Sequence, residues 1–187
     1  PGRGAARRLM ELRADRLERQ LAGEPLRPVY LVAGGEPLLV QEAADAIRAR
    51  AREEGYTERE VYDAEGGFDW NTLSRGMASL SLFASRRVFD LRLPTGKPGK
   101  DGSEAIREYC DNPPPDTVLL ITAQDWSRAH AGKWSEAITK AGHFVPVYPL
   151  KTHELGEWLQ RRLRSRGLVA TPDAVQRLAD RVEGNLL

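Results

Sequence analysis

The stretch Thr117-Val118-Leu119-Leu120-Ile121-Thr122 limits the fold more than any other part of the chain. Its four central residues are apolar without a polar alternation, so a strand built from them must be covered on both faces. A second run, Val29-Tyr30-Leu31-Val32-Ala33, has the same character and closes on Gly34-Gly35. Strands of this kind belong to parallel sheets, in which each return crossing is made by a helix. The intervals supply those helices. Pro37 opens one with Val40, Ala43, Ala44, Ile47 and Ala51 on a single face, and Gly55 ends it. Asp69 caps another, whose inward stripe is Trp70, Leu73, Met77 and Leu80. A third is expected over Lys133 to Ala141. Shorter strands are expected at Glu60-Val61-Tyr62, at Val88 to Leu93 and at Phe144 to Val147. The pattern predicts an α/β domain with a mostly parallel sheet between helices.

Ahead of this domain, Leu12, Leu17 and Leu21 carry a loose helical spacing among Arg13, Arg16 and Arg19, which predicts a surface helix ending near Gly23. Residues 1–9 read as a tail or upstream extension, and Met10 as a natural start. Pro94 to Gly102 reads as a mobile loop, and Ser103 as the cap of a helix running through Tyr109. After Pro149 only helices follow. One starts at Thr152 with Leu155, Trp158, Leu159 and Leu163 inward, and one at Thr171-Pro172 with Val175, Leu178, Ala179 and Val182 inward. The expected division is an α/β domain over residues 10–149 and the start of a small helical domain over 150–187.

Composition removes several classes of function. Hydrophobic residues make up 41% of 187, enough for a real core, and no apolar run is long enough to span a membrane. With 28 Lys+Arg against 27 Asp+Glu, no whole-molecule field draws the chain to nucleic acid. Cys110 is alone, so neither a disulfide framework nor a thiolate metal cluster is available, which suits the cytoplasm. His130, His143 and His153 have no metal-ligand spacing with one another or with Cys110.

The first strand, its glycine turn and the next helix stand where a phosphate-binding loop would stand. That loop needs G-x-x-x-x-G-K-[ST], for backbone amides, a lysine charge and a magnesium-binding hydroxyl. From Gly34 the chain instead reads Gly34-Gly35-Glu36-Pro37-Leu38-Leu39-Val40-Gln41, with Leu39, Val40 and Gln41 at the diagnostic places. Glu36 adds negative charge, and Pro37 has no amide hydrogen. ATP is not expected there. Gly96-Lys97-Pro98-Gly99-Lys100-Asp101 imitates the motif but ends in an acid, and it reads as a solvated loop. Hydrolysis also needs a carboxylate at a central strand end. The central strand runs out into Thr122-Ala123-Gln124, and Asp125 comes too late. No serine sits in a G-x-S-x-G elbow. Arg161, Arg162, Arg164 and Arg166 suit the polar face and C-terminus of a helix, with a nucleic-acid contact as the competing reading.

One stretch lacks a structural excuse. Ser79-Leu80-Ser81-Leu82-Phe83-Ala84-Ser85-Arg86-Arg87 joins a helix to a strand through a short corner, which places Leu82 and Phe83 among small polar neighbours. Two readings stand: an apolar tip held out for a partner protein, or two core residues at a bend.

Five stretches in order give the chain a family likeness. They are Val29-Tyr30-Leu31 with Glu36-Pro37-Leu38-Leu39-Val40-Gln41-Glu42, then Asp69-Trp70-Asn71, then Ser81-Leu82-Phe83-Ala84-Ser85-Arg86, and Glu183-Gly184-Asn185-Leu186-Leu187. In these the chain resembles the δ subunit of the bacterial DNA polymerase III clamp loader. The resemblance implies a degenerate AAA+ module, with a RecA-like α/β domain followed by a helical lid. It implies a subunit of the DNA-directed DNA polymerase (nucleotidyltransferase) holoenzyme with no catalytic site of its own, no cofactor and no ATP hydrolysis. The implied partner is the ring-shaped sliding clamp (the β subunit), which the family holds open through a Leu-Phe wedge, here Leu82 and Phe83, with Leu80 as a neighbouring apolar contact. The other loader subunits are implied partners of the full-length protein, with DNA met through the complex. The family's third, collar domain would lie beyond this chain. Clamp binding is therefore expected to remain, and assembly with the other loader subunits is not. The competing functions are an active P-loop-type ATPase and an arginine-rich nucleic-acid-binding module.

Overall fold

The structure is a computed structural model, and it describes residues 12, 14–79, 85–182 and 186. Two compact units are present, Pro1–Val147 and Tyr148–Leu187. In the first, five strands form one parallel sheet: β1 (Val29–Gly34), β2 (Tyr56–Asp63), β3 (Arg86–Arg92), β4 (Thr117–Ala123) and β5 (His143–Val147). Their order across the sheet is β2-β3-β4-β1-β5. The helices are α1 (Ala14–Gly23), α2 (Pro37–Glu53), α3 (Trp70–Ala78), α4 (Gly99–Asp111) and α5 (Lys133–Ala141).

The unbroken apolar runs follow from this order. Alternate residues of a strand point to opposite faces, and both faces of this sheet are covered. Val29, Leu31, Leu119 and Ile121 join Leu73 of α3, Ile106 and Tyr109 of α4, and Trp134 and Ile138 of α5 in one core. Tyr30, Val32, Val118 and Leu120 join Leu17 and Leu21 of α1 and Val40, Ala44 and Ile47 of α2 in the other. The N-terminal helix thus belongs to the core through one stripe. A hydrogen bond from the Leu12 amide to the Phe144 carbonyl, 2.8 Å, ties the residues before it to β5.

Three elements differ from the expectation. β2 is eight residues long, because an edge strand covered on one side alternates half-buried with exposed positions and so reads as polar at Glu58, Arg59 and Glu60. β3 starts two residues early, at Arg86. α4 starts at Gly99, so Ser103 lies inside the helix and the loop before it is four residues shorter than its composition suggests. The glycines that read as loop signals have a packing role: a Cβ on Gly102 would lie 2.3 Å from the Trp70 ring.

A charge is buried in the middle of β3. Asp90 is fully buried, on the face covered by α2. Arg48 of α2 meets it through Nε at 2.8 Å and Nη2 at 3.1 Å, and Arg59 of β2 through Nε at 2.9 Å and Nη2 at 2.6 Å. Burial acts to lower the Arg48 pKa, but the carboxylates of Asp90 and Asp45 outweigh it and hold the guanidinium above its ordinary value. One carboxylate thereby joins a helix, the edge strand and its neighbour.

In the second unit α6 (Thr152–Ser165) and α7 (Pro172–Val182) pack through Leu155, Trp158, Leu159 and Val175. Leu178, expected inward, is 41% exposed. No helix among the described residues is long and apolar enough to cross a membrane.

Removing Asp90 takes the shared partner from Arg48, which keeps Asp45 at 2.7 Å, and from Arg59, which is partly open to solvent. Asp90→Ala is expected to destabilise the first unit by about 1–3 kcal/mol, read as a lower urea midpoint with an unchanged slope.

Candidate functional site

In a parallel sheet of this kind, ligands sit beyond the carboxyl ends of the strands where the strand order reverses. Here that place is the end of β1, between β4 and β5. Only Gly35 and Glu36 separate β1 from α2. Glu36 is the extended cap residue of the helix, with no side-chain cap bond, and Pro37 begins the first turn. The Val40 amide already donates to the Glu36 carbonyl at 3.1 Å, within the helix. The Val40 side chain is buried in the core, 3% exposed, at the position where a phosphate lysine would have to reach outward. The strand end is equally tight. Gly34 pairs with Val147, and a Cβ on it would lie 1.9 Å from the Val147 carbonyl oxygen.

Neither β4, beside β1, nor β3, one strand further, ends in a carboxylate. β3 runs into Leu93-Pro94, and β4 into Gln124. Arg92, at the end of β3, faces Asp63 of β2 at 3.5 Å.

The loop with the misleading Gly-Lys pair borders a cleft of about 530 Å³, lined among others by Phe68, Trp70, Lys97, Lys100 and Asp101. Asp101 stands in the first turn of α4, at the positive end of the helix dipole that an anion would need.

The structure does bring a serine and a histidine together, at Ser127 and His130. Ser127 Oγ lies 3.0 Å from His130 Nδ1. The same Nδ1 accepts the Ser127 amide at 2.8 Å, which makes it the acceptor nitrogen and leaves the ring proton on Nε2. Ser127 Oγ in turn accepts from the Ala129 amide at 3.3 Å. The pair is the reciprocal cap of the short turn Arg128–His130. Asp125 stands 3.8 Å from Nε2, beyond hydrogen-bond reach. Cys110 is buried, and burial, with the Asp111 charge behind it, pushes its thiol up to about 12, so it is neutral at pH 7. No group of three or more His, Cys, Asp or Glu side chains among the described residues could hold a metal ion. On α6 the Arg162 guanidinium lies over the Trp158 ring at 5.3 Å, and Arg161 faces Glu157 at 3.9 Å.

The corner between α3 and β3 is the remaining candidate. Leu80, Leu82 and Phe83 lie outside the described residues, and the structure describes the two sides that flank them. On the α3 side, Asp69 caps the helix by accepting from the Asn71 amide at 3.0 Å, and Arg75 reaches back to Asp69 at 3.2 Å. Ser79 closes the helix, its amide 2.9 Å from the Arg75 carbonyl. On the β3 side, Ser85 donates to the Glu58 carboxylate. Arg86 joins Asp116 at 3.0 Å and the Glu54 carbonyl at 2.7 Å. Arg87 turns inward and crosses to α3. Sequence reasoning missed both Arg87 and Asp90. For Asp90 the signal was an acid within an apolar strand; for Arg87 there was none, since its partners are mostly backbone carbonyls.

The family model described as DNA polymerase III, delta subunit, matches residues 30–147, which runs from β1 to the end of β5. The chain belongs to that family. It is 30% identical over 180 residues to DNA polymerase III subunit delta of Escherichia coli, covering 96% of this chain and 52% of the relative. To the same subunit of Haemophilus influenzae it is 28% identical, covering 92% and 51%. The chain therefore spans about half the length of the curated relatives it matches. Among solved structures, the Bacillus subtilis DNA clamp loader delta protein superposes with a TM-score of 0.70 at 19% identity, over 92% of this chain and 53% of that one. The RuvB branch-migration motor of Thermotoga maritima superposes at 0.54 with 16% identity, over 98% and 57%. The delta-family fold is thus the RecA-like α/β fold of AAA+ proteins, here with a two-residue turn after its first strand.

The close β1–β5 approach leaves no ready space for a side chain at Gly34. Gly34→Ala is expected to cost about 2–3 kcal/mol, because a backbone carbonyl blocks the new methyl group, and thermal unfolding measures the loss.

Proposed function

We propose that this chain binds the sliding clamp through Leu82 and Phe83, with Leu80 beside them, and favours the opened ring without binding or hydrolysing ATP. The observation that carries this reading is the two-residue turn between β1 and α2. A delta-family chain whose phosphate loop is replaced by a closed helix start acts as an adaptor and not as a motor. The corner adds to it. The described residues on either side of Leu80, Leu82 and Phe83 are hydrogen-bonded, Ser79 at the end of α3 and Ser85 before β3, and an anchor binds best from a rigid scaffold. Burying both side chains in a groove of the clamp contributes about 3–6 kcal/mol before ordering costs. If the groove is best filled when the clamp interface is distorted, that energy shifts the ring towards the open state. The work is done in the cytoplasm, within the DNA polymerase III holoenzyme. The other loader subunits are partners of the full-length protein, and DNA is met through the complex.

Leu82→Ala combined with Phe83→Ala is expected to weaken clamp binding by at least about a hundredfold while the melting temperature stays at the wild-type value. A double variant that no longer folds would show that the two residues are core. In a parallel titration, magnesium-ATP is expected to give no saturable binding to the wild-type chain; saturation at micromolar ATP would overturn the adaptor reading.

A further inference from the structure

We propose that Arg87 is the positioning residue for the docking residues: its guanidinium fastens the last turn of α3 to the start of β3, so that the described ends on either side of them are held at a fixed separation. This deepens the function proposed above and rests on it for the identity of the partner.

The side chain has an unusual destination. Arg87 pairs in register with Glu58 and Thr117, and strand alternation puts it on the same face as Phe89 and Leu91, which is the face covered by α3, α4 and α5. An arginine there, 8% exposed, needs compensation inside an apolar layer. It finds it at the end of α3. Nη1 donates to the Gly76 carbonyl and to Ser79 Oγ, both at 3.2 Å, and Nη2 donates to the Met77 carbonyl at 3.3 Å. The last carbonyls of a helix lack helical donors and carry the negative end of its dipole. The Gly76 carbonyl already accepts from the Ser79 amide at 3.3 Å and hydroxyl at 2.7 Å; the guanidinium adds a donor there, gives one to Met77 and brings the opposite charge. Its flat face lies over the Phe89 ring, 5.2 Å from the centroid.

The packing around it fixes the height of this turn. A Cβ on Gly76 would come within 2.4 Å of the Tyr62 hydroxyl and 3.3 Å of Phe89. The turn therefore rests directly on β2 and β3, where the planar fork of Arg87 reaches three acceptors on consecutive parts of the chain. Lysine, with a single ammonium, has no such fork. The far end of the tip is held by the same pair of strands: Glu58, opposite Arg87 in the register, accepts from Ser85. A two-residue apolar anchor loses affinity if its stem must be ordered on binding. Arg87 removes much of that cost beforehand.

The test compares wild type, Arg87→Met and Arg87→Lys in the 187-residue chain with two readouts. In the free protein, hydrogen exchange at the amides of residues 77–85 is expected to accelerate about tenfold or more in Arg87→Met, with β1 and β4 unchanged, and less in Arg87→Lys. In titrations with the sliding clamp, Kd is expected to rise about tenfold for Arg87→Met, with partial rescue in Arg87→Lys. Exchange in 77–85 that stays at the wild-type rate, or that rises equally throughout the sheet, overturns the proposal. So does clamp affinity that stays at the wild-type value. If the wild-type chain itself shows no clamp binding, the function proposed above fails, and the exchange pattern alone then decides whether Arg87 fastens the corner.

Discussion

A parallel sheet has no face that water can satisfy, and the rest of this molecule is arranged around that constraint. Apolar side chains emerge from β1 and β4 on both sides, so helices must lie on both. α1 and α2 close one side, and α3, α4 and α5 the other. A charge that enters such a layer has to bring its partners with it. Asp90 and Arg87, three residues apart on one strand and on opposite faces, meet this demand in different ways. Asp90 recruits two guanidinium groups from a helix and the edge strand. Arg87 recruits the exposed carbonyl end of a helix.

This contrast sets what the sequence could reveal. The central strands were legible because burial on two faces leaves uninterrupted apolar runs. The inward stripe of α2 was legible because Val40, Ala43, Ala44, Ile47 and Ala51 keep helical spacing, and all five are buried. β2 was legible only at its middle, since an edge strand with one covered side spends half its positions on polar residues. The start of α4 was hidden by Gly99 and Gly102, which look like loop residues until the Trp70 ring is in place above Gly102. Leu178 fits the stripe of α7 by spacing and is nevertheless exposed. Periodicity names a face and does not name the element that covers it.

The candidate site divides in the same way. The missing lysine and hydroxyl of the phosphate motif were visible as letters. The shortness of the turn, and the burial of Val40 that comes with it, needed coordinates. The corner was visible as a leucine and a phenylalanine without an evident core partner, and its link to a partner came from the family likeness. The fastening of that corner could not have been read from the chain, because the acceptors of Arg87 are main-chain oxygens, which every residue possesses. The close Ser127–His130 contact shows the opposite hazard. A catalytic-looking pair, read in its full hydrogen-bond context, is the end of a three-residue turn.

The meeting of Gly34 with the Val147 carbonyl has a consequence for any attempt to remake this scaffold as a motor. Exchanging Leu39, Val40 and Gln41 for glycine, lysine and threonine would put the letters of the motif at its spacing, but on a helix that has already begun two residues after β1. The first turn of that helix would have to unwind as well, beside a strand pair with no slack. Remaking that grip in this architecture is therefore a change of backbone as well as of letters: the early helix start, and the buried place of Val40 within it, would have to be given up together.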